Sequence, residues 1–299
     1  MGGTAPVLVT GGAGYVGSHA VLALCDAGIP AVVLDDLSTG RRDLVPADVP
    51  FVEGDAGDDA LVADLLGRHG IDTVMHFAGS IIVPDSVRTP LAYYRNNTLA
   101  SQVLIEACVR CGVARFVFSS SAAVYGIPEA ERVAENAPTR PINPYGRSKL
   151  MTEWMLADTA AAHGLRSVSL RYFNVAGADA AGRAGESPPV STHLVKVACE
   201  AATGKRRDLH LYGEDYPTKD GTCIRDYVHV SDVADAHVAA LRHLEEGRVD
   251  GALVLNVGYG HGYTVREVLK AVERAAGAPL PVRPMPRRAG DPPELAAAP

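Results

Sequence analysis

The chain has 299 residues, 47% of them apolar and 21% charged, which excludes a disordered chain and allows a large buried core. At roughly 150 residues per domain, two domains are expected. Lys and Arg number 28 against 35 Asp and Glu, and the longest basic cluster is Lys205-Arg206-Arg207, followed by the pair Arg287-Arg288; a nucleic acid or an anionic membrane is therefore excluded as the main partner.

In chain order, Ala5–Thr10, Ala31–Asp35, Pro50–Glu53, Asp72–His76, Arg115–Ser119 and Ser167–Arg171 read as strands, several of them almost continuously apolar, as strands covered on both faces are. Between them lie helical patterns at Tyr15–Ala27, Asp59–His69, Val87–Arg110 and Pro144–His163. Gly28, Gly70 and Gly112 follow three of these at the positions where helices end. This βαβ order predicts an α/β fold, a Rossmann-like doubly wound parallel sheet over residues 1–174. A smaller mixed α/β substrate domain is expected over 175–299, with part of 222–245 packing back onto the first.

The second region opens on a Gly-, Ala- and Pro-rich loop, Ala176–Pro189. Helices are expected at Thr192–Thr203, Val230–Leu244 and Thr264–Ala276, and a strand at Leu209–Tyr212. The last 21 residues hold seven of the 20 prolines and read as extended or coil. No apolar run approaches the ~18–20 residues of a membrane span. The first basic residue is Arg41, so no charged leader is expected. Five scattered cysteines, Cys25, Cys108, Cys111, Cys199 and Cys223, form no disulfide framework and point to a reducing cytoplasm.

Thr10-Gly11-Gly12-Ala13-Gly14-Tyr15-Val16-Gly17 joins the first strand to the first helix. Gly11, Gly14 and Gly17 let backbone N–H groups approach a pyrophosphate at the positive helix end, which in this setting reads as a dinucleotide site. Asp35 closes the second strand 18 residues after Gly17. A carboxylate there accepts hydrogen bonds from ribose hydroxyls and, with Asp36 beside it, repels the extra phosphate of NADP, so NAD is the expected cofactor. Asp55, in Gly54-Asp55-Ala56, reads equally as an adenine contact or as a turn aspartate.

Ser119-Ser120-Ser121 ends the fifth strand, where an open α/β sheet presents ligand contacts. Tyr145 and Lys149, at i and i+4, share a helix face. A phenol is a poor base at neutral pH; a neighbouring ammonium and a cationic nicotinamide favour phenolate. The Ser121 hydroxyl can then hold a substrate oxygen in line. Other features read blandly. Cys108-x-x-Cys111 has no second pair and carries no metal or redox assignment. His229, His237 and His243 read as surface or core-edge residues, and His76 as packed or cofactor-facing. Lys205–Arg207 reads as a solvated helix end, and Tyr93-Tyr94 as packing. No metal site is expected.

These motifs resemble the extended short-chain dehydrogenase/reductase family and, within it, the UDP-glucose (UDP-galactose) 4-epimerases. The similar stretches are TGGAGYVGSH at Thr10–His19, EGD at Glu53–Asp55, HFAG at His76–Gly79, YYRNN at Tyr93–Asn97, FSSSAAVYG at Phe118–Gly126, PYGRSKLMTE at Pro144–Glu153, LRYFNVAGA at Leu170–Ala178, LYGEDYPTKDGTCIRDYVHVSDVADAH at Leu211–His237 and PRRAGD at Pro286–Asp291. The resemblance implies that Tyr145 is the base, that Lys149 binds the nicotinamide ribose and tunes it, and that Ser121 bonds the sugar 4-oxygen. It places Gly11, Gly14, Tyr15, Val16, Gly17, Asp35, Asp36, Asp55, Ala56, Phe77, Ala78, Gly79, Asn96, Ser119, Tyr145, Lys149 and Phe173 around NAD. It places Ser121, Tyr145, Asn174, His193, Leu194, Tyr212, Arg225, Arg288 and Asp291 around a UDP-sugar, with the arginines suited to a diphosphate. The implied reaction is inversion at C4 of a UDP-hexose through a 4-keto sugar, in a homodimer built on Val87–Arg110 and Pro144–His163.

The chain departs from the family at Ile81, where a lysine is usual, and at Ala123, where a threonine is usual. Leu295 aligns with the residue, often tyrosine or cysteine, that limits bulk at the sugar's 2-position. Family chains also run some tens of residues further. Alternatives from the sequence are a UDP-N-acetylhexosamine or UDP-uronate 4-epimerase, and a non-catalytic nucleotide-sensing module. Ala122-Ala123 stands where a 4,6-dehydratase carries an acid pair, which argues against that enzyme.

Overall fold

The computed structural model describes residues 5–130, 132–187, 191–288 and 291–298. Pro188 and Pro189 of the expected loop, Ala289 and Gly290 of the Pro286–Asp291 stretch, and Pro299 lie outside the described residues. β1 (Val7–Thr10) leads into α1 (Tyr15–Asp26), β2 (Ala31–Asp35), β3 (Phe51–Glu53), α2 (Asp59–His69) and β4 (Thr73–His76). Next come α3 (Val83–Arg88), α4 (Pro90–Tyr93), a π turn at Tyr94–Leu99, and α5 (Ala100–Arg110). β5 (Arg115–Ser121), β6 (Arg132–Val133), α6 (Pro144–His163), β7 (Arg166–Tyr172) and β8 (Asn174–Ala176) follow. The remaining elements are α7 (Leu194–Ala202), β9 (Leu209–Tyr212), β10 (Ile224–Arg225), β11 (Tyr227–His229), α8 (Val230–Glu245), β12 (Ala252–Val257), β13 (Tyr263–Thr264), α9 (Val265–Ala276), β14 (Val282–Met285) and β15 (Glu294–Ala297).

The main sheet has seven parallel strands in the order β12-β7-β5-β4-β1-β2-β3. Alternation along each strand divides its core. Val7, Val9, Val117 and Leu170 pack with Val21 and Leu24 of α1 and Leu241 and Leu244 of α8. Leu8, Phe116 and Phe118 point the other way, onto Leu65, Leu104 and Leu156 of α2, α5 and α6. Successive strand residues face opposite sides, so apolar residues at both parities force helices onto both faces. The strand order reverses between β1 and β4, and it is beyond the carboxyl ends of the strands at such a point that open α/β sheets hold their ligands.

Helix ends follow local chemistry. Asp58 caps α2 by accepting from Leu61 N at 3.1 Å, and Gly70 closes it in the left-handed region. Asn143 accepts from Gly146 N at 2.9 Å and Pro144 opens α6, whose observed span equals the expected one. The single helix expected over Val87–Arg110 is instead broken into α3, α4, the π turn and α5. Pro90 lacks the N–H that would continue α3. β12 was not anticipated; it pairs in parallel with β7 and completes the sheet. The proline-rich tail forms two strands: β14 on β9, and β15 between β10 and β6. α7 and α9 share an apolar cluster that includes Ala198, Leu209, Leu269 and Leu280.

Candidate active site

The glycine loop closes on itself. Gly14 N donates to the Gly11 carbonyl at 3.1 Å, and Gly11 N to Leu34 O at 2.8 Å. A Cβ on Gly17 would stand 2.1 Å from Gly11 O, and one on Gly11, whose φ is +72°, would stand 2.5 Å from Ala78 N. Only glycine admits this approach of loop, helix and the end of β4. α1 starts at Tyr15 with no side-chain cap and no acid in its first turn, so its first N–H groups suit an anion. Val16 packs at the edge of an apolar cluster that contains Tyr15 and Phe173.

Asp35 is buried and receives Ala13 N and Leu37 N, each at 2.9 Å. Burial pushes its carboxyl up, and these two amides oppose the shift. The donor set fits a dinucleotide: bare amides for a pyrophosphate, then a carboxylate with free lone pairs for ribose. Asp36 is exposed and turns to the Ser38 backbone N–H and hydroxyl. Asp55 is exposed and closes its own turn through Gly57 N at 2.8 Å, with Ala56 buried beside it. Phe77 N and Ala78 N both donate to Thr10 O, which sets Phe77, Ala78 and Gly79 just beyond the carboxyl end of β4. Asn96 donates to Ser80 Oγ at 2.8 Å, while Ile81 is 48% exposed.

Tyr145, Lys149, Ser119 and Ser121 meet where β5 ends against the start of α6. Tyr145 is 7% and Lys149 3% exposed. Lys149 Nζ donates to the Ser119 carbonyl at 2.9 Å and lies 4.9 Å above the Phe118 ring. Burial brings the Lys149 pKa down to about 8, with Glu153 pulling upward. Burial pushes the Tyr145 phenol up, and a hydrogen bond with the Ser121 side chain pulls it back. A phenol, an ammonium and two serines are thus brought together in a buried corner, an arrangement able to move a proton.

A second cluster lies across the smaller sheets. Arg225 is 9% exposed, donates to Pro292 O at 2.9 Å and meets Asp291 Oδ1 at 3.2 Å. The Arg288 guanidinium stacks 3.9 Å from the Tyr212 ring centroid. β8 carries exposed Asn174, which is opposite Tyr227, and Phe173 N donates to Val257 O. His193 stands at the start of α7 just before Leu194, with no capping bond from its side chain; it lies 2.9 Å from Glu186, and its ring centroid is 6.2 Å from that of Tyr15. Tyr15 Oη donates to Gly177 O at 2.7 Å, so the glycine loop touches the start of the second region.

Some residues here were not singled out from the sequence. The Tyr172 hydroxyl shares a 2.7 Å hydrogen bond with Ser119 Oγ. Asn97 is buried where Asn96 is exposed; its amide receives Ser80 N at 2.7 Å and donates to Ser148 Oγ at 3.0 Å. His237, read as surface or core-edge, is fully buried, with its ring centroid 4.6 Å from that of Phe77. Burial lowers its pKa to about 4. His76 is packed, bonded to Thr10 Oγ1 at 2.7 Å and Ser101 Oγ at 2.8 Å. Cys108 is buried and Cys111 exposed, all five cysteines are free, and no group that could hold a metal occurs among the described residues.

Comparison with known proteins agrees with this geometry. Residues 7–258 match the model of the NAD dependent epimerase/dehydratase family. The chain is 62% identical over 291 residues to the UDP-glucose 4-epimerase of Azospirillum brasilense, covering 97% of this chain and 83% of that one. It superposes with a TM-score of 0.95 on the crystal structure of UDP-glucose 4-epimerase from Brucella ovis in complex with NAD, at 47% identity, covering 98% and 90% of the two chains. For the UDP-Glc/GlcNAc 4-epimerase of Campylobacter jejuni the TM-score is 0.85, at 46% identity and 99% and 90% coverage. The chain belongs to the NAD dependent epimerase/dehydratase family.

Proposed function

We propose that this chain inverts C4 of a UDP-hexose, interconverting UDP-galactose and UDP-glucose, with tightly held NAD. The carrying observation is the buried Tyr145–Lys149 pair one helical turn apart, with Lys149 Nζ on the Ser119 carbonyl at the end of β5 that also carries Ser121, in the sheet that holds the glycine cradle. Gly11, Gly14, Tyr15, Val16, Gly17, Asp35, Asp36, Asp55, Ala56, Phe77, Ala78, Gly79, Asn96, Ser119 and Phe173 are assigned to the cofactor. NAD, when bound, supplies an electrophilic nicotinamide that can take a hydride from a carbinol carbon and give it back.

The side chains do the rest. Ser121 holds the sugar 4-oxygen in line with Tyr145. Tyr145 accepts the 4-hydroxyl proton and later returns it. Lys149 as a cation favours the phenolate. Arg225 and Arg288 bind the diphosphate, with Asn174, His193, Leu194, Tyr212 and Asp291 completing the nucleotide grip. Inversion requires the 4-keto sugar to present its other face. A site anchored through the nucleotide, with the hexose loosely held, allows that turn.

The experiment is direct. Purified protein is incubated with UDP-galactose and no added NAD, and the products are separated. UDP-glucose is the expected product; no conversion of UDP-galactose, UDP-N-acetylgalactosamine or UDP-galacturonate overturns the reading. A broader substrate range is a second reading. Leu295 sits in register with Arg225 across β10 and β15 and is smaller than a tyrosine, so the same panel should show turnover of the N-acetylated sugar.

We assign residues 1–174 to the cofactor and most of 175–299 to the nucleotide sugar; the packing of α8 on α1 supports 222–245 belonging with the first part. A homodimer through α5 and α6 is supported by Leu99, at the end of the π turn before α5, and Trp154 of α6, which are 51% and 57% exposed. Light scattering at twice the chain mass is the expected result. Five free cysteines support a reducing cytoplasm. No helix among the described residues is long and apolar enough to cross a membrane.

A further inference from the structure

Three successive serines of β5 meet three side chains of α6. The Ser119 carbonyl receives Lys149 Nζ and Ser120 Oγ donates to Glu153 Oε1, while the Ser121 side chain lies near enough to Tyr145 to pull its phenol down against burial. Residues 145, 149 and 153 are spaced by four, so they lie along one helix face. Glu153 is 5% exposed. From β7, Arg171 grips both its oxygens, with Nε at 3.0 and 3.2 Å and Nη2 at 2.6 Å. Arg171 also donates to the Tyr125 hydroxyl at 2.9 Å, which donates to Asn256 Oδ1 at 2.7 Å. The clamp therefore ties β5, α6 and β7 together directly beneath the reacting groups and reaches β12.

We propose that Glu153 is a positioning residue for the reaction: clamped between Ser120 and Arg171, it keeps Lys149 cationic against the Ser119 carbonyl and so sets the alkaline limit of catalysis. This rests on the roles assigned to Tyr145 and Lys149 above.

The groups facing Lys149 are few. On β4, His76 is fully buried and neutral, its pKa held near 3 by burial and by Lys149 itself. On β5 there are the Phe118 ring and the Ser119 carbonyl. On β7, the Tyr172 phenol bonds Ser119 Oγ and is itself pushed up by burial. On α6 itself Tyr145 is a neutral phenol held up by burial. Desolvation drives the ammonium toward the neutral amine, and Glu153 is the charged group that opposes it. Arg171 is held by Glu153, Tyr125 and the Glu135 carbonyl. A neutral Lys149 would no longer favour the Tyr145 phenolate, so activity falls as pH rises through the Lys149 pKa. Removing the Glu153 charge lowers that pKa and moves the limb to lower pH.

The test is kcat against pH for UDP-galactose conversion by the wild-type enzyme, Glu153→Asp, Glu153→Gln and Glu153→Gln/Arg171→Gln. The alkaline limb of Glu153→Gln should move down by about one pH unit. Glu153→Asp keeps the charge and should hold the limb within about half a unit of wild type. Breaking a buried ion pair on one side is costly, so Glu153→Gln alone can fail to fold; the double variant removes both partners of that ion pair. In it the limb should also lie below that of wild type. A wild-type limb in Glu153→Gln, or in the double variant where the single one does not fold, overturns the inference. An inactive wild-type enzyme overturns the function reading, and the inference with it.

Discussion

Gly17→Ala isolates the glycine cradle. Gly17 lies inside α1, where alanine is favoured over glycine by about 1 kcal/mol on propensity alone. The added Cβ, however, would stand 2.1 Å from Gly11 O, 2.9 Å from Gly11 C and 3.0 Å from Gly12 Cα. All three are backbone atoms of the loop, so no side chain can swing away. Restoring ordinary contact displaces the loop carbonyl by roughly 1 Å, and a misplacement of that size can cost about 100-fold at a catalytic site. The same carbonyl receives Gly14 N, so the loop amides proposed to bind the pyrophosphate move with it. Overpacking adds about 1–3 kcal/mol of destabilisation. The assay is NAD released per chain on denaturing the purified protein, alongside UDP-galactose turnover. Gly17→Ala should lose most of its bound NAD and at least about tenfold of its activity. Gly28→Ala is the control: Gly28 also sits next to α1, at φ +68°, but its Cβ would meet nothing within 4 Å. It should be less stable by about 1 kcal/mol and keep its NAD. Full NAD content in Gly17→Ala would refute the steric reasoning.

Other expectations follow from single contacts. Asp35→Asn places an amide against Ala13 N or Leu37 N and removes the charge that rejects NADP; NAD content should fall and discrimination narrow, and unchanged values for both would contradict the assignment. Buried His237 has no partner at Nε2, and its folded pKa of about 4 lies below the ordinary 6.5. The unfolded chain binds that proton first, so stability is full above pH 6.5 and falls with pH toward 4, by about 1.4 kcal/mol per unit. His237→Leu should therefore lose less stability than wild type between pH 7 and pH 5 in urea melts; equal losses would count against it. The Asp226 carboxylate takes backbone N–H groups from Tyr259, Gly260 and Ala297. Asp226→Ala orphans the buried Gly260 and Ala297 donors, at about 1–3 kcal/mol each, and the part-buried Tyr259 donor, and should raise hydrogen exchange in β15 first. Unchanged exchange there would show that the tail is held by something else.

Sequence and structure agree most closely where local chemistry alone decides. α2 and α6 have the expected bounds because Asp58 and Asn143 cap their starts and Gly70 and Gly164 close their ends. The strands of the first half read clearly because both parities are apolar, as Val7, Leu8 and Val9 show. What was missed depends on distant partners. β12 is a short apolar run whose identity comes from pairing with β7 some eighty residues earlier. Proline in the tail marks an extended chain but not its partner, so β14 and β15 were read only as extended or coil. Tyr145, Lys149 and Ser121 were legible through i,i+4 spacing and a serine-rich strand end. Glu153 extends the same spacing one turn further and could have been found that way; Arg171 could not, because it arrives from β7. His237 carries no sequence mark of burial, since a histidine on an amphipathic helix reads alike on either face.

The claim on which the account depends most is that the Tyr145 phenol takes the 4-hydroxyl proton. Tyr145→Phe removes one oxygen from a buried, well-packed ring and leaves the glycine cradle untouched. Steady-state conversion of UDP-galactose should fall by about 100-fold or more, with bound NAD per chain equal to wild type. Turnover close to wild type with the cofactor still in place would contradict the account.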